Sequence, residues 1–284
     1  MIQLVDILSE VITEGKRFKF EPETYMRMLT LADNLWDLRA KNYTRKTFVE
    51  KIPFKTSDGA DGMVKVYINP RLKDIASMET KPVESRDPMD FVMELQPKEY
   101  GSKKNLFLTI FHEMLHATDP TQSTKFSPKF MMTYDDSDES KYWGHPIEFR
   151  AITNEFLEGL VLEFERRIDR ANKPSEKLFL ERSLDNIMSY FATNQPLTKV
   201  SKDILFRIND EQVLDNRISE LISNMKSDYP NVVDIIPQKN EDEPYYITYI
   251  QLIKKHNPTS WPKFLKMLYN TYQEIKDYLN KKGV

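Results

Sequence analysis

His112 and His116 stand four residues apart in the run LFLTIFHEMLHATDP, with Glu113 directly after the first. On an α-helix, residues i and i+4 project from one face, so imidazoles at this spacing can grip one metal ion between them. A glutamate beside the first histidine reaches a water held by that ion rather than the ion itself, the position of a general base. The chain holds four histidines, and at this composition an HExxH pattern arises by chance only about 0.005 times. Leu106, Leu108, Ile110, Phe111, Met114 and Leu115 flank the pair. Such flanks suit a buried helix with hydrogen-bonded histidines as well as a catalytic helix anchored in a core. The paired spacing with glutamate inside it favours the metal, and zinc is the expected ion.

There is no cysteine, so every protein ligand must be an imidazole or a carboxylate. A hydrolytic zinc site takes three protein ligands and leaves one position for water. The third ligand is sought in KYWGHPIEFRAITNEF, residues 141 to 156. Pro146 suits the first position of a helix, which places Glu148 in the first turn, and Ile147, Ala151, Ile152 and Phe156 supply an apolar stripe. Glu148 ranks first, His145 second and Glu155 third. Glu148 in a first turn also fits simple pairing with the helix dipole. His145 could instead donate to a developing oxyanion. Tyr142 is a further candidate for that role, with core packing the alternative in a chain of 14 tyrosines. Asp119 either accepts a ligand histidine's free N–H or caps the turn with Pro120.

The elements that must position these groups are legible in outline. Apolar residues recur at helical spacing through the first forty residues, with Pro22 where a helix can begin. From Thr47 to Asn69 the pattern alternates about SDGADG and predicts a β-hairpin, and DFVMELQP, residues 90 to 97, predicts a third strand. Beyond the histidines the pattern is helical: 146 to about 171, 174 to about 192, 202 to about 225, 244 to 256 and about 262 to 280. The expected class is α+β: a small twisted sheet with an active-site helix, then a mostly helical C-terminal region. Three segments are expected, an N-terminal helical segment at 1–42, a catalytic core at 43–200 and a helical region at 201–284. Asp135 to Ser140 lacks the spacing and glycine of a calcium loop and is expected to be solvated.

Composition narrows the partners. With 284 residues, 40% hydrophobic and 12% aromatic, the chain can bury a sizeable core. A net charge of −3 with both signs interspersed offers little attraction for nucleic acid. The opening residues lack the basic start and apolar run of a secretion signal, and no stretch reaches bilayer length, so a cytoplasmic protein without a membrane partner is expected.

HEMLH resembles the signature of the zincin metallopeptidases, and HPIEFRA opening a helix is similar to the glutamate-supplying helix of their gluzincin-type members. The resemblance implies that His112 and His116 bind zinc, Glu113 is the base and Glu148 is the third ligand. It also implies a twisted sheet whose edge strand, expected at DFVMELQP, binds an extended peptide or protein substrate above the active helix. Asp119 and Gln122 stand where the metzincin branch requires glycine and histidine. Glu148 lies 32 residues beyond His116, a longer interval than the thermolysin-like pattern. MIQLVDILSEV and the Tyr-x-x-His-Pro-x-Glu arrangement also resemble small metallopeptidase-like proteins of tailed bacteriophages, which implies a host cytoplasm or a virion. A non-catalytic, zincin-shaped structural or interaction protein is the alternative function.

Overall fold

Two prolines set the start of the helices that frame the candidate site. Pro22 opens α1 (Pro22–Leu38) and Pro146 opens α3 (Pro146–Arg170), in first turns where a missing N–H costs nothing. The computed structural model describes residues 15–55, 59, 61–72, 76–80, 90–96, 98, 100–118, 145–208 and 245–282. Among the described residues the fold is α+β and mostly helical, and the chain divides into two compact units. One is residues 19–151; the other joins residues up to Phe18 to residues from Ile152 onward.

The first unit is built on a four-stranded sheet. Strands β1 (Thr47–Lys55) and β2 (Asp61–Ile68) pair antiparallel, with Lys55 opposite Asp61, as the alternation predicts. Gly62 faces Phe54 across the pair, and a Cβ there would overlap the Phe54 ring. Strand β3 (Ala76–Thr80) runs antiparallel to β4 (Asp90–Leu95), which pairs parallel with β2 on its other side. The sheet order is β1-β2-β4-β3. The strand expected at the edge, DFVMELQP, is therefore interior, and among the described residues β1 and β3 are the outer strands. Residue composition agrees: Phe91, Met93 and Leu95 are buried, and the intervening Glu94 is itself only 8% exposed. A strand carrying so little solvent-facing character belongs inside a sheet.

Helix α2 (Lys103–Ala117) carries the HEMLH run and packs on α1 and on β3. Phe111 meets Phe20 edge to face at 5.2 Å, and Phe107 meets Tyr25 in the same manner at 5.4 Å. Each such aromatic pair contributes about 0.5–1.5 kcal/mol beyond its burial. Met28, Leu31, Ala32 and Leu35 form the buried stripe of α1 at the spacing read from the sequence.

The second unit is helical: residues 152–170 of α3, then α4 (Pro174–Thr193), α5 (Lys199–Ile208), α6 (Tyr245–His256) and α7 (Trp261–Lys281). Starts and ends match the pattern closely except at α5, which begins at Lys199; residues 209–225 of that expected helix lie outside the described residues. Phe156, Phe191 and Phe264 form its aromatic centre, with ring centroids 5.5 to 6.2 Å apart. Residues 15–20 were expected to be helical and are not. Their backbone is held instead by side chains: Asn270 donates to the Gly15 carbonyl at 2.5 Å, and the Phe18 N–H donates to Asn154 at 2.5 Å. Among the described residues no helix is long and apolar enough to cross a membrane.

Candidate metal centre

Helix α2 begins at Ser102, whose hydroxyl accepts the Asn105 N–H at 3.1 Å, and ends at Thr118, whose hydroxyl donates to the Leu115 carbonyl at 3.0 Å. Between these caps the helix is continuous, so His112 and His116 stack one turn apart as their spacing demands. Their Nε2 atoms face each other at 3.0 Å, with ring centroids 4.8 Å apart and ring planes at 76°. Both side chains are about 15% exposed.

Glu148 comes from the first turn of α3, where the positive end of the helix dipole favours an acid. The Phe149 N–H donates to the His145 carbonyl at 2.9 Å, which places His145 at the head of that helix. Dipole pairing alone does not account for the position of the Glu148 carboxylate. One oxygen lies 3.8 Å from His112 Nε2 and the other 3.6 Å from His116 Nε2, and the residue is 2% exposed. A carboxylate this sheltered is stable only beside donors or positive charge.

His112, His116 and Glu148 are the one group of metal-capable side chains among the described residues, with ligand atoms all within 4.8 Å of one another. Zinc bound tetrahedrally at 2.0–2.1 Å holds its ligand atoms about 3.3 Å apart. The two Nε2 atoms are 3.0 Å apart and each has a different Glu148 oxygen at 3.6 or 3.8 Å, so with one ligand atom from each residue the set lies within 4.8 Å, close to that spacing. Two neutral imidazole nitrogens and one carboxylate are also a donor set that zinc prefers. The residues fit the ion.

Of the three candidates for the third ligand, the group contains Glu148 and neither His145 nor Glu155. Glu155 lies two turns further along α3, about 10 Å by helical rise, and falls in the other compact unit. Glu113 is half-buried on α2 next to the histidine face. Tyr142 and Asp119 lie outside the described residues.

One positioning contact was not read from the sequence. Arg150, two residues past Glu148, directs a guanidinium N–H to the Thr118 hydroxyl at 3.5 Å. It joins the first turn of α3 to the C-cap of α2, and a cation at a helix C-terminus is favourable in its own right. A sequence signal was present only in Thr118, two residues past the second histidine, and Arg150, two past the glutamate. Neither spacing carries a distance across 32 residues of chain.

The chain matches no protein-family model, no curated protein and no solved structure.

Proposed function

We propose that the protein is a zinc-dependent metallopeptidase of the HExxH type, with a zincin-like core and a gluzincin-like ligand set of His112, His116 and Glu148. The observation that carries this reading is the convergence of the Glu148 carboxylate on both Nε2 atoms, at 3.6 and 3.8 Å, from a separate helix. Zinc held by these three residues would supply Lewis acidity, making water more acidic and a substrate carbonyl more electrophilic.

The chain's own residues do the remainder. The Glu113 carboxylate takes a proton from the attacking water and returns it to the nitrogen of the leaving amine. His145, at the head of the ligand helix, is the candidate donor to the oxygen that gains charge during attack. Extended substrate adds to an outer strand of the sheet, and because β4 is interior that role passes to β3, which packs on the HEMLH helix.

Elemental analysis of the purified protein, joined to mass-spectrometric profiling of cleavage in a peptide mixture, tests the proposal. One equivalent of zinc, lost in His116→Ala, and cleavage lost in Glu113→Gln with zinc retained are expected. Metal-free protein whose melting temperature ignores chelators would sink it.

A further inference from the structure

The two helices that supply the candidate ligands are rooted differently. Helix α2 packs on α1 and β3. From Ile152 onward α3 belongs to the helical unit, where Phe156, Leu157, Leu160 and Phe164 are buried. The place of Glu148 against the histidines is therefore set within residues 146–151, the part of α3 that belongs with the sheet.

Arg150 lies in this stretch and also reaches α2. Its guanidinium points an N–H at the Thr118 hydroxyl, 3.5 Å away. Thr118 is fully buried two residues beyond His116, and its hydroxyl donates to the Leu115 carbonyl at 3.0 Å. With the proton committed there, the oxygen's lone pairs are left to accept from Arg150. A separation of 3.5 Å is long for a hydrogen bond, but the guanidinium charge at the C-terminal end of α2 adds attraction. Glu148 and Arg150 leave α3 about 200° apart. A first turn held from both sides resists rotation about its axis better than one held by a carboxylate alone.

We propose that Arg150 is a positioning residue of the metal centre. Anchored on Thr118, it keeps the first turn of α3 where the Glu148 carboxylate faces both imidazoles before an ion arrives, and so sets the affinity for zinc. This rests on the metallopeptidase reading for the identity of the ion. A ligand in place for one tenth of the time binds its ion about tenfold more weakly than one always in place, so a modest loosening of this turn is measurable.

The test is zinc affinity of the full chain, measured by competition with a chromophoric chelator. Arg150→Ala weakens zinc by about tenfold, Thr118→Val weakens it by less, and adding Thr118→Val to Arg150→Ala costs nothing further. Thr118→Ser, which keeps the hydroxyl, retains the wild-type affinity. In a Glu148→Ala background, where no carboxylate remains to be placed, Arg150→Ala changes nothing. The visible spectrum of cobalt bound in place of zinc, which reports ligand geometry, shifts in Arg150→Ala. Wild-type affinity in Arg150→Ala overturns the inference alone. So does a loss of the same size with Glu148 present or absent, the mark of a general loosening of the fold. Where Arg150→Ala does not fold, equal affinities of Thr118→Val and Thr118→Ser overturn it instead. A wild type that takes up no zinc sinks the metallopeptidase reading, and the inference with it.

Discussion

One helix carries three buried glutamates, and the two compact units treat them differently. Glu148, Glu158 and Glu163 all lie on α3 and are 2%, 2% and 1% exposed. In the helical unit each acid meets guanidinium. Glu158 pairs with Arg17, which also reaches Glu274 at 3.2 Å, and Glu163 takes Arg166 at 2.5 Å and Arg167 at 2.8 Å. In the sheet-bearing unit Glu148 has two imidazole nitrogens within 3.8 Å. A carboxylate gripped by a planar, permanently charged fork is neutralised and closed to a metal. Imidazole, mostly neutral at physiological pH, leaves its lone pair and the carboxylate's charge to be shared with a cation. The difference separates acids held in arginine pairs from one that stands in a group able to hold a metal ion.

The sharpest way to break this contrast is to remove one guanidinium. Arg17→Ala leaves Glu158 charged in a site where its side chain is 3% exposed, and a loss of about 3–5 kcal/mol in urea unfolding is expected. A loss below about 1 kcal/mol would mean that Arg17 is not what makes the acid tolerable. On the metallopeptidase proposal, Glu113→Gln acts on chemistry instead: kcat is expected to fall by about 10²- to 10⁴-fold with zinc content and melting temperature retained. Chelation comes next. Zinc present at about 100 times its dissociation constant stabilises the folded state by about 2.7 kcal/mol. A chelator should therefore lower the melting temperature of the wild type and leave that of His116→Ala where it was.

The smallest effect is a pH limb in the sheet. Burial alone would raise the Glu94 carboxyl, but hydrogen bonds from Lys46 and Asn69 and the Lys46 charge bring it below its ordinary 4.5. A depressed carboxylate contributes stability that is full above the unfolded value and is lost as pH falls through the folded one. Glu94→Gln should accordingly cost stability at pH 7 and narrow its gap to the wild type below about pH 4.5. A gap constant from pH 7 to 3 would show that the ionised form of Glu94 is not the one being stabilised.

Much of this was readable as text because it is local. The i, i+4 histidines, the apolar flanks of α2, the hairpin about SDGADG and the proline-led starts of α1, α3 and α4 depend on neighbours within a few turns. What failed was non-local. DFVMELQP reads as a strand, but whether it has one partner or two depends on β3, which is 14 residues upstream from first residue to first residue. The non-helical course of residues 15–20 reflects Asn154 and Asn270, far along the chain. The ordering of Glu148, His145 and Glu155 was a ranking that no periodicity could convert into a distance.

The amino-acid sequence by itself determined the donor chemistry: no thiolate, two imidazoles on one helical face, and a glutamate between them. Backbone geometry makes that arrangement compulsory once the helix forms. Tertiary structure alone decided, among the described residues, which carboxylate lies beside them, which strands lie outermost, and which arginines meet Glu158 and Glu163. Those outcomes come from packing between segments distant in the chain, where a shift of a few ångströms separates a ligand from a salt bridge.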